Sequence, residues 1–124
     1  MPLRRLYFAL DLKSDPKLIA QYEDWHRPEK IWPEVTKFLR AAGIEELEIF
    51  RSGDRLVMVM QVTDEFSAAR LAAGGSSDPR IRAWEELMWQ FQRPLPFADP
   101  GEKWVSMSRI FSLQEALDAP GRDA

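Results

Sequence analysis

His26 is the single histidine in a chain of 124 residues. Imidazole is the side chain whose unperturbed pKa lies near neutrality, so it can both give and take a proton there. Tyr22 stands four residues earlier, which on a helix puts phenol and imidazole on one face. Arg27-Pro28 follows at once and should end that helix. The ring then sits near a helix C-terminus, where the backbone dipole favours the protonated form. The plain structural alternative is a half-buried histidine capping carbonyls. Glu85 is a second candidate. The run Ile81, Trp84, Glu85, Met88, Phe91 makes an apolar stripe and gives Glu85 an inward position. A carboxylate there is costly unless it is paired or hydrogen-bonded, so Glu85 is read as a base or hydroxyl acceptor in a pocket, or else as a stripe-edge residue reaching solvent. Five tryptophans are many for this length. Trp84 lies on the inward stripe, and Trp25 and Trp32 lie near His26 in sequence. Indole faces stack on the apolar side of sugar rings while polar groups hold the hydroxyls; the same residues also suit a core or an interface between copies.

Other chemistries are excluded by composition. There are no cysteines, which removes disulfide scaffolds, thiol nucleophiles, iron–sulfur clusters and cysteine zinc sites. One histidine cannot build a multi-histidine metal site. A net charge of −3 argues against binding driven by nucleic-acid phosphates. No phosphate loop, dinucleotide fingerprint, nucleophile elbow or metal-spaced carboxylate cluster is present. Apolar stretches fall short of the ~20 residues a membrane helix needs, and Met1 to Leu12 lacks the apolar region of a signal peptide. A cytoplasmic location is the expectation.

These residues need elements to hold them. Leu6, Phe8, Leu10 and Leu12 alternate with Arg5, Tyr7, Ala9 and Asp11, which predicts a strand. Asp15-Pro16 is a helix start, and the helix should run to about His26 with Leu18, Ile19, Tyr22 and Trp25 as its apolar stripe. A second helix opens near Pro33 and ends at Gly43, burying Val35, Phe38, Leu39 and Ala42. Glu46–Arg51 and Leu56–Val62 make a hairpin across the turn at Ser52-Gly53-Asp54. The second of these strands is apolar on both faces and requires cover on both sides. The chain's own helices supply one layer; a second copy of the protein is the expected source of the other. Phe66–Ala73 reads as a third helix ending at Gly74-Gly75, and Asp78-Pro79 opens a fourth. Residues 93–101 form a proline-rich loop, and Lys103–Ser112 is the predicted fourth strand. The order is that of an α+β, ferredoxin-like sandwich with split helices and a four-stranded antiparallel sheet. Residues 1–113 form one domain, and 114–124 are expected to be a flexible C-terminal tail.

Tyr22-Glu23-Asp24-Trp25-His26 followed by Ile31-Trp32-Pro33-Glu34 resembles the Tyr-x-x-x-His…Ile-Trp-Pro-Glu signature of the L-rhamnose mutarotase family. Residues 42–50 and Trp84-Glu85-Glu86-Leu87-Met88 are similar to that family's second strand and last helix. The resemblance covers roughly residues 3–113. It implies a dimeric α/β barrel, a monosaccharide bound between helices and sheet, and cofactor-free exchange of the anomers of 6-deoxy sugars. It also implies that His26 is the proton donor and that Tyr22 and Trp84 contact the sugar. The chain departs from the family at three places. Two more residues separate His26 from Ile31, Leu47 stands where the rhamnose enzymes have tyrosine, and Glu85 stands where they have a second tryptophan. The segments 43–46, 92–97 and 100–104 look more like the L-fucose mutarotase branch, so the resemblance implies L-fucose or a related sugar.

Anomer exchange opens and recloses a pyranose ring. It needs a proton for the ring oxygen and the removal of one from the anomeric hydroxyl. His26 is the expected acid, Glu85 the expected base, Tyr22 the orienting group and Trp84 the stacking platform. Two other readings use the same residues: a haem-degrading or quinone-forming monooxygenase on the same architecture, with His26 as axial ligand or base, and a sugar-binding module without catalysis.

Overall fold

A computed structural model describes residues 3–121. The first two residues of the leader reading and residues 122–124 of the expected tail lie outside the described residues. The chain begins with β1 (Arg4–Leu12), which occupies the middle of the sheet. It pairs antiparallel with β3 (Arg55–Val62) from Arg4 opposite Val62 to Asp11 opposite Arg55. β3 pairs in turn with β2 (Ile44–Ser52) through the Gly53 turn. The left-handed Gly53, with φ of +60°, makes that turn without strain.

Two helices precede β2. Asp15 caps α1 (Pro16–Trp25), its carboxylate accepting from the Lys17 and Leu18 amides. α2 (Pro33–Ala41) stops at Gly43, whose φ of +96° suits the C′ position. After β3 come α3 (Ala68–Ser77) and α4 (Pro79–Trp89), then the short β4 (Gln92–Arg93) and β5 (Val105–Ser106), and last α5 (Leu113–Asp118).

The strand lanes run β2-β3-β1-β4, with β5 also on β1. That is the ferredoxin-like order expected, with one correction in its last lane. The predicted strand Lys103–Ser112 is reduced to Val105–Ser106, and Gln92–Arg93 fills the rest of the β1 edge. After Ser106 the ladder holds for one more bond, from the Met107 amide to the Tyr7 carbonyl. Beyond it Ile110 and Phe111 are exposed, so no burial rewards further pairing. The third helix differs as well. It runs through Gly74-Gly75 to Ser77; Gly74 is there for packing, since a Cβ on it would come within 2.8 Å of Phe38 Cε1 of α2. Where a frayed tail was expected, α5 forms, its first turn capped by Ser112 Oγ.

The helices cover one face of the sheet. One core cluster joins Leu12, Tyr22, Val35, Leu56, Ile81, Trp84, Met88 and Phe91. A second joins Ile44, Met60, Val62 and Phe66 at the other end. On the opposite face Asp11 is 2% exposed, and Arg55 binds its carboxylate at 2.7 and 3.0 Å. That bidentate pair explains how a carboxylate is tolerated on the central strand.

Candidate active site

A cavity of about 1230 Å³ runs between the helical layer and the sheet. Tyr22, His26, Trp84 and Glu85 all line it, so two helices and the residue that ends the first of them converge on one space. Leu47 and Ile49 of β2 line its sheet side, and Trp104 and Gln92 contribute from the C-terminal segment. Trp104 and Gln92 were not singled out from the sequence. Neither lies on a periodic helical stripe: Trp104 ends a loop and Gln92 occupies a two-residue strand. The proline-rich spacing before Trp104 marks a loop without saying where that loop folds.

His26 follows the last residue of α1, and its Nδ1 lies 2.7 Å from the Tyr22 carbonyl oxygen. A carbonyl only accepts, so Nδ1 carries the hydrogen and Nε2 is the nitrogen free to exchange protons. The ring is tilted against Tyr22 at 4.4 Å and meets Trp84 edge-on at 5.6 Å. Burial among these rings lowers the His26 pKa below its ordinary value of 6.5; the bond to the Tyr22 carbonyl opposes that shift but does not cancel it. The expectation that the helix end would favour the imidazolium is therefore corrected. Burial outweighs the carbonyl bond at the helix end, so the neutral ring is the favoured form at neutral pH.

Tyr22 is 3% exposed. Burial pushes its phenol up to about 12; the Gln92 hydrogen bond works against that, and the nearby Glu85 charge adds to it. The phenol thus keeps its proton and serves as a hydrogen-bonding group. Trp84 is the hub of an aromatic cluster, with Trp25 at 6.4 Å, Trp32 at 5.2 Å and His26 all packed edge-on to it. Arg80 in turn lies 4.0 Å over the Trp32 ring. This packing holds the indole in one orientation.

Glu85 takes the second of its two readings, that of a stripe-edge residue. It is not an inward member of the α4 stripe: half of its side chain is exposed at the stripe's edge. Solvation and a partner remove the cost of burying it. Lys103 Nζ donates to the Glu85 carboxylate at 2.7 Å and to its backbone carbonyl at 3.1 Å, while lying 4.8 Å over the Trp89 ring. Among the described residues no cluster of three or more histidines and carboxylates could hold a metal ion.

The topology defines a ferredoxin-like α+β protein whose cavity carries one exchangeable imidazole nitrogen beside a phenol and indoles. A family profile described as L-rhamnose mutarotase matches residues 5–113, and the chain belongs to that family. It is 58% identical over 117 residues to an L-fucose mutarotase of Xanthomonas campestris, covering 94% of each chain. To an L-rhamnose mutarotase of Acidiphilium cryptum it is 29% identical over 112 residues, 85% of this chain and 95% of that one. The fold also resembles the crystal structure of an L-rhamnose mutarotase from Formosa agariphila, with a TM-score of 0.63 at 20% identity, over 89% of this chain and 98% of that one.

Proposed function

We propose that the protein is a mutarotase, an isomerase that interconverts the α and β anomers of a 6-deoxy sugar, L-fucose first. Membership of the family supports the activity, and identity to a protein named L-fucose mutarotase is about twice that to one named for L-rhamnose. The observation that carries the chemistry is the His26 ring, its Nδ1 fixed on the Tyr22 carbonyl and Nε2 left for the cavity.

Ring opening breaks the bond between C1 and the ring oxygen while C1 and the anomeric oxygen become a carbonyl. Both oxygens are borne by C1, so one nitrogen can serve both. Neutral Nε2 takes the anomeric hydroxyl proton, and the imidazolium so formed gives a proton to the ring oxygen. Rotation about C1–C2 and the reverse transfers close the other anomer. His26 keeps its assignment as proton donor, having first collected the proton it gives. Tyr22 offers a neutral hydroxyl to the sugar, and Trp84 packs against its apolar side. In a second division of labour His26 is the acid from the start and Glu85 the base; it is favoured by Glu85 lining the same cavity.

The test is saturation transfer between the anomer signals of L-fucose and L-rhamnose in NMR. Exchange well above the buffer rate, faster for L-fucose, is expected. A folded protein that speeds neither sugar overturns the assignment. A sugar that binds without faster exchange favours the binding module, and a haem absorption shift the monooxygenase.

The working unit we propose is a homodimer. The sheet face away from the helices carries Tyr7 and Phe50, both exposed, beside half-buried Val57 and Val59. The C-terminal segment adds Met107, Ile110 and Phe111, also exposed. So much exposed apolar surface on and beside one face suits a copy of the same chain. A monomer in sedimentation velocity at micromolar concentration overturns this. No helix of the described residues is long and apolar enough to cross a membrane. The lack of cysteine is compatible with a cytoplasmic location, which we propose.

A further inference from the structure

Gln92 is 5% exposed and belongs to the cavity wall, yet its amide is only half satisfied. Nε2 donates to the Tyr22 hydroxyl oxygen at 3.3 Å. Oε1 has no hydrogen-bond partner, and among the described residues it is the one buried side-chain polar atom in that state. A buried acceptor without a donor costs about 1–3 kcal/mol. A methionine or leucine would fill the same volume without that cost, so packing alone does not call for an amide here.

The surroundings say what kind of donor is missing. Gln92 follows directly on Phe91, and its strand is held to β1 opposite Leu12, so the backbone beneath the amide is fixed. The phenol it touches is buried and stays protonated. With its oxygen already accepting from Nε2, the Tyr22 hydroxyl has its own hydrogen left to donate. The pair therefore keeps one unused donor, the phenol hydrogen, and one unused acceptor, the amide oxygen, in the cavity wall. That is the complement of a sugar hydroxyl or of two neighbouring ones, since each hydroxyl both gives and accepts.

We propose that Gln92 is a specificity-determining residue: with Tyr22 it forms a donor–acceptor pair that grips a hydroxyl of the bound monosaccharide. The inference rests on the mutarotase reading and adds to it a residue that selects the sugar. An analogue lacking the gripped hydroxyl leaves Oε1 unpaired and is discriminated against strongly, because sites built for a hydroxyl penalise its loss more than sites built for a methyl group.

The experiment compares the protein with Gln92→Met, an apolar side chain of the same length. The kcat and KM for L-fucose are read by saturation transfer, and the thermal midpoint is measured alongside. The expected result is a KM raised about tenfold with the midpoint kept or raised, since the unpaired oxygen is gone. Combining Gln92→Met with Tyr22→Phe should cost little more than either change alone, because the two residues act on one hydroxyl. A purely structural Gln92 gives the opposite split, a lowered midpoint with unchanged kinetics, and overturns the proposal. A second measurement needs no variant. The chain has five glutamines and no asparagine, so its side-chain amide spectrum holds five pairs of signals. The Gln92 pair should shift most when L-fucose is added; an unmoved pair at saturating sugar overturns the proposal even if Gln92→Met fails to fold. If the parent protein exchanges no anomers, the mutarotase reading fails, and the amide shift alone decides whether Gln92 meets a sugar.

Discussion

Tyr22 and Gln92 are 3% and 5% exposed, whereas Glu85, on the same cavity, keeps half of its side chain in solvent. The inner wall is made from the core itself. Tyr22 and Trp84 belong to the same packed cluster as Leu12 and Leu56, so moving either disturbs the fold. The rim is made by an ion pair between α4 and the loop that precedes β5. A packed ring is fixed by dozens of weak contacts, while an exposed ion pair is fixed by two charges that water screens. Groups that must meet a reacting atom within a few tenths of an ångström belong in the first environment. The rim can adjust its charge and shape at little cost to the fold.

The largest effect should come from the inner wall. His26→Ala removes the exchangeable nitrogen and is expected to slow anomer exchange at least about a hundredfold, the lower end of what a positioned acid–base group contributes. The far-ultraviolet circular dichroism should be unchanged. A variant that keeps activity within threefold of the parent takes His26 out of the chemistry and erases the contrast between wall and rim. The same residue sets a pH signature. Its folded pKa is depressed below 6.5, so the unfolded chain binds more protons in the interval between the two values. Its contribution to stability is full above 6.5 and is lost as pH falls through the folded value. The thermal midpoint should therefore drop on acidification below 6.5, less steeply in His26→Gln. Activity should fall over the lower part of that range, as Nε2 becomes protonated before the sugar arrives.

Much of this arrangement is legible in the residues alone. The Asp15-Pro16 and Asp78-Pro79 starts fix two helices, and the alternation of β1 and the i, i+4 spacing of Tyr22 and His26 fix which faces turn inward. These are local signals, carried by caps and periodicity. Three features were not legible, for non-local reasons. Gly74-Gly75 reads as a helix end, yet α3 continues through it, and Gly74 answers to the space a neighbouring ring takes up. Glu85 left two readings open, and what decides for the stripe edge is a lysine eighteen residues away. Gln92 and Trp104 reach the site through a loop whose course depends on where β1 offers an open edge.

An intermediate effect is expected at Glu85, where the two divisions of labour part. If His26 handles both proton transfers, Glu85→Gln keeps a hydrogen-bonding group on the cavity and lowers kcat/KM by about tenfold or less, the scale of one hydrogen bond. The pH profile should keep its shape. If Glu85 is the base, the same change should approach the loss seen in His26→Ala and remove one limb of the profile. Parity between the two variants would move the chemistry onto the rim.

The smallest effect should be that of Lys103→Met. The pair it makes with Glu85 is partly exposed, and such pairs contribute less than about 1 kcal/mol. The methionine keeps an apolar chain against Trp89, so the loop retains that contact. Stability in urea should change by less than that amount, and kcat for L-fucose by no more than about threefold. What the variant removes is the cation neutralising Glu85. The freed carboxylate raises the negative potential at the cavity mouth, and added salt should screen that change. A small loss of activity that disappears as salt is raised is therefore expected. A large loss that salt leaves untouched would mean that the loop, held by Lys103, is as firmly built into the site as the core residues behind it.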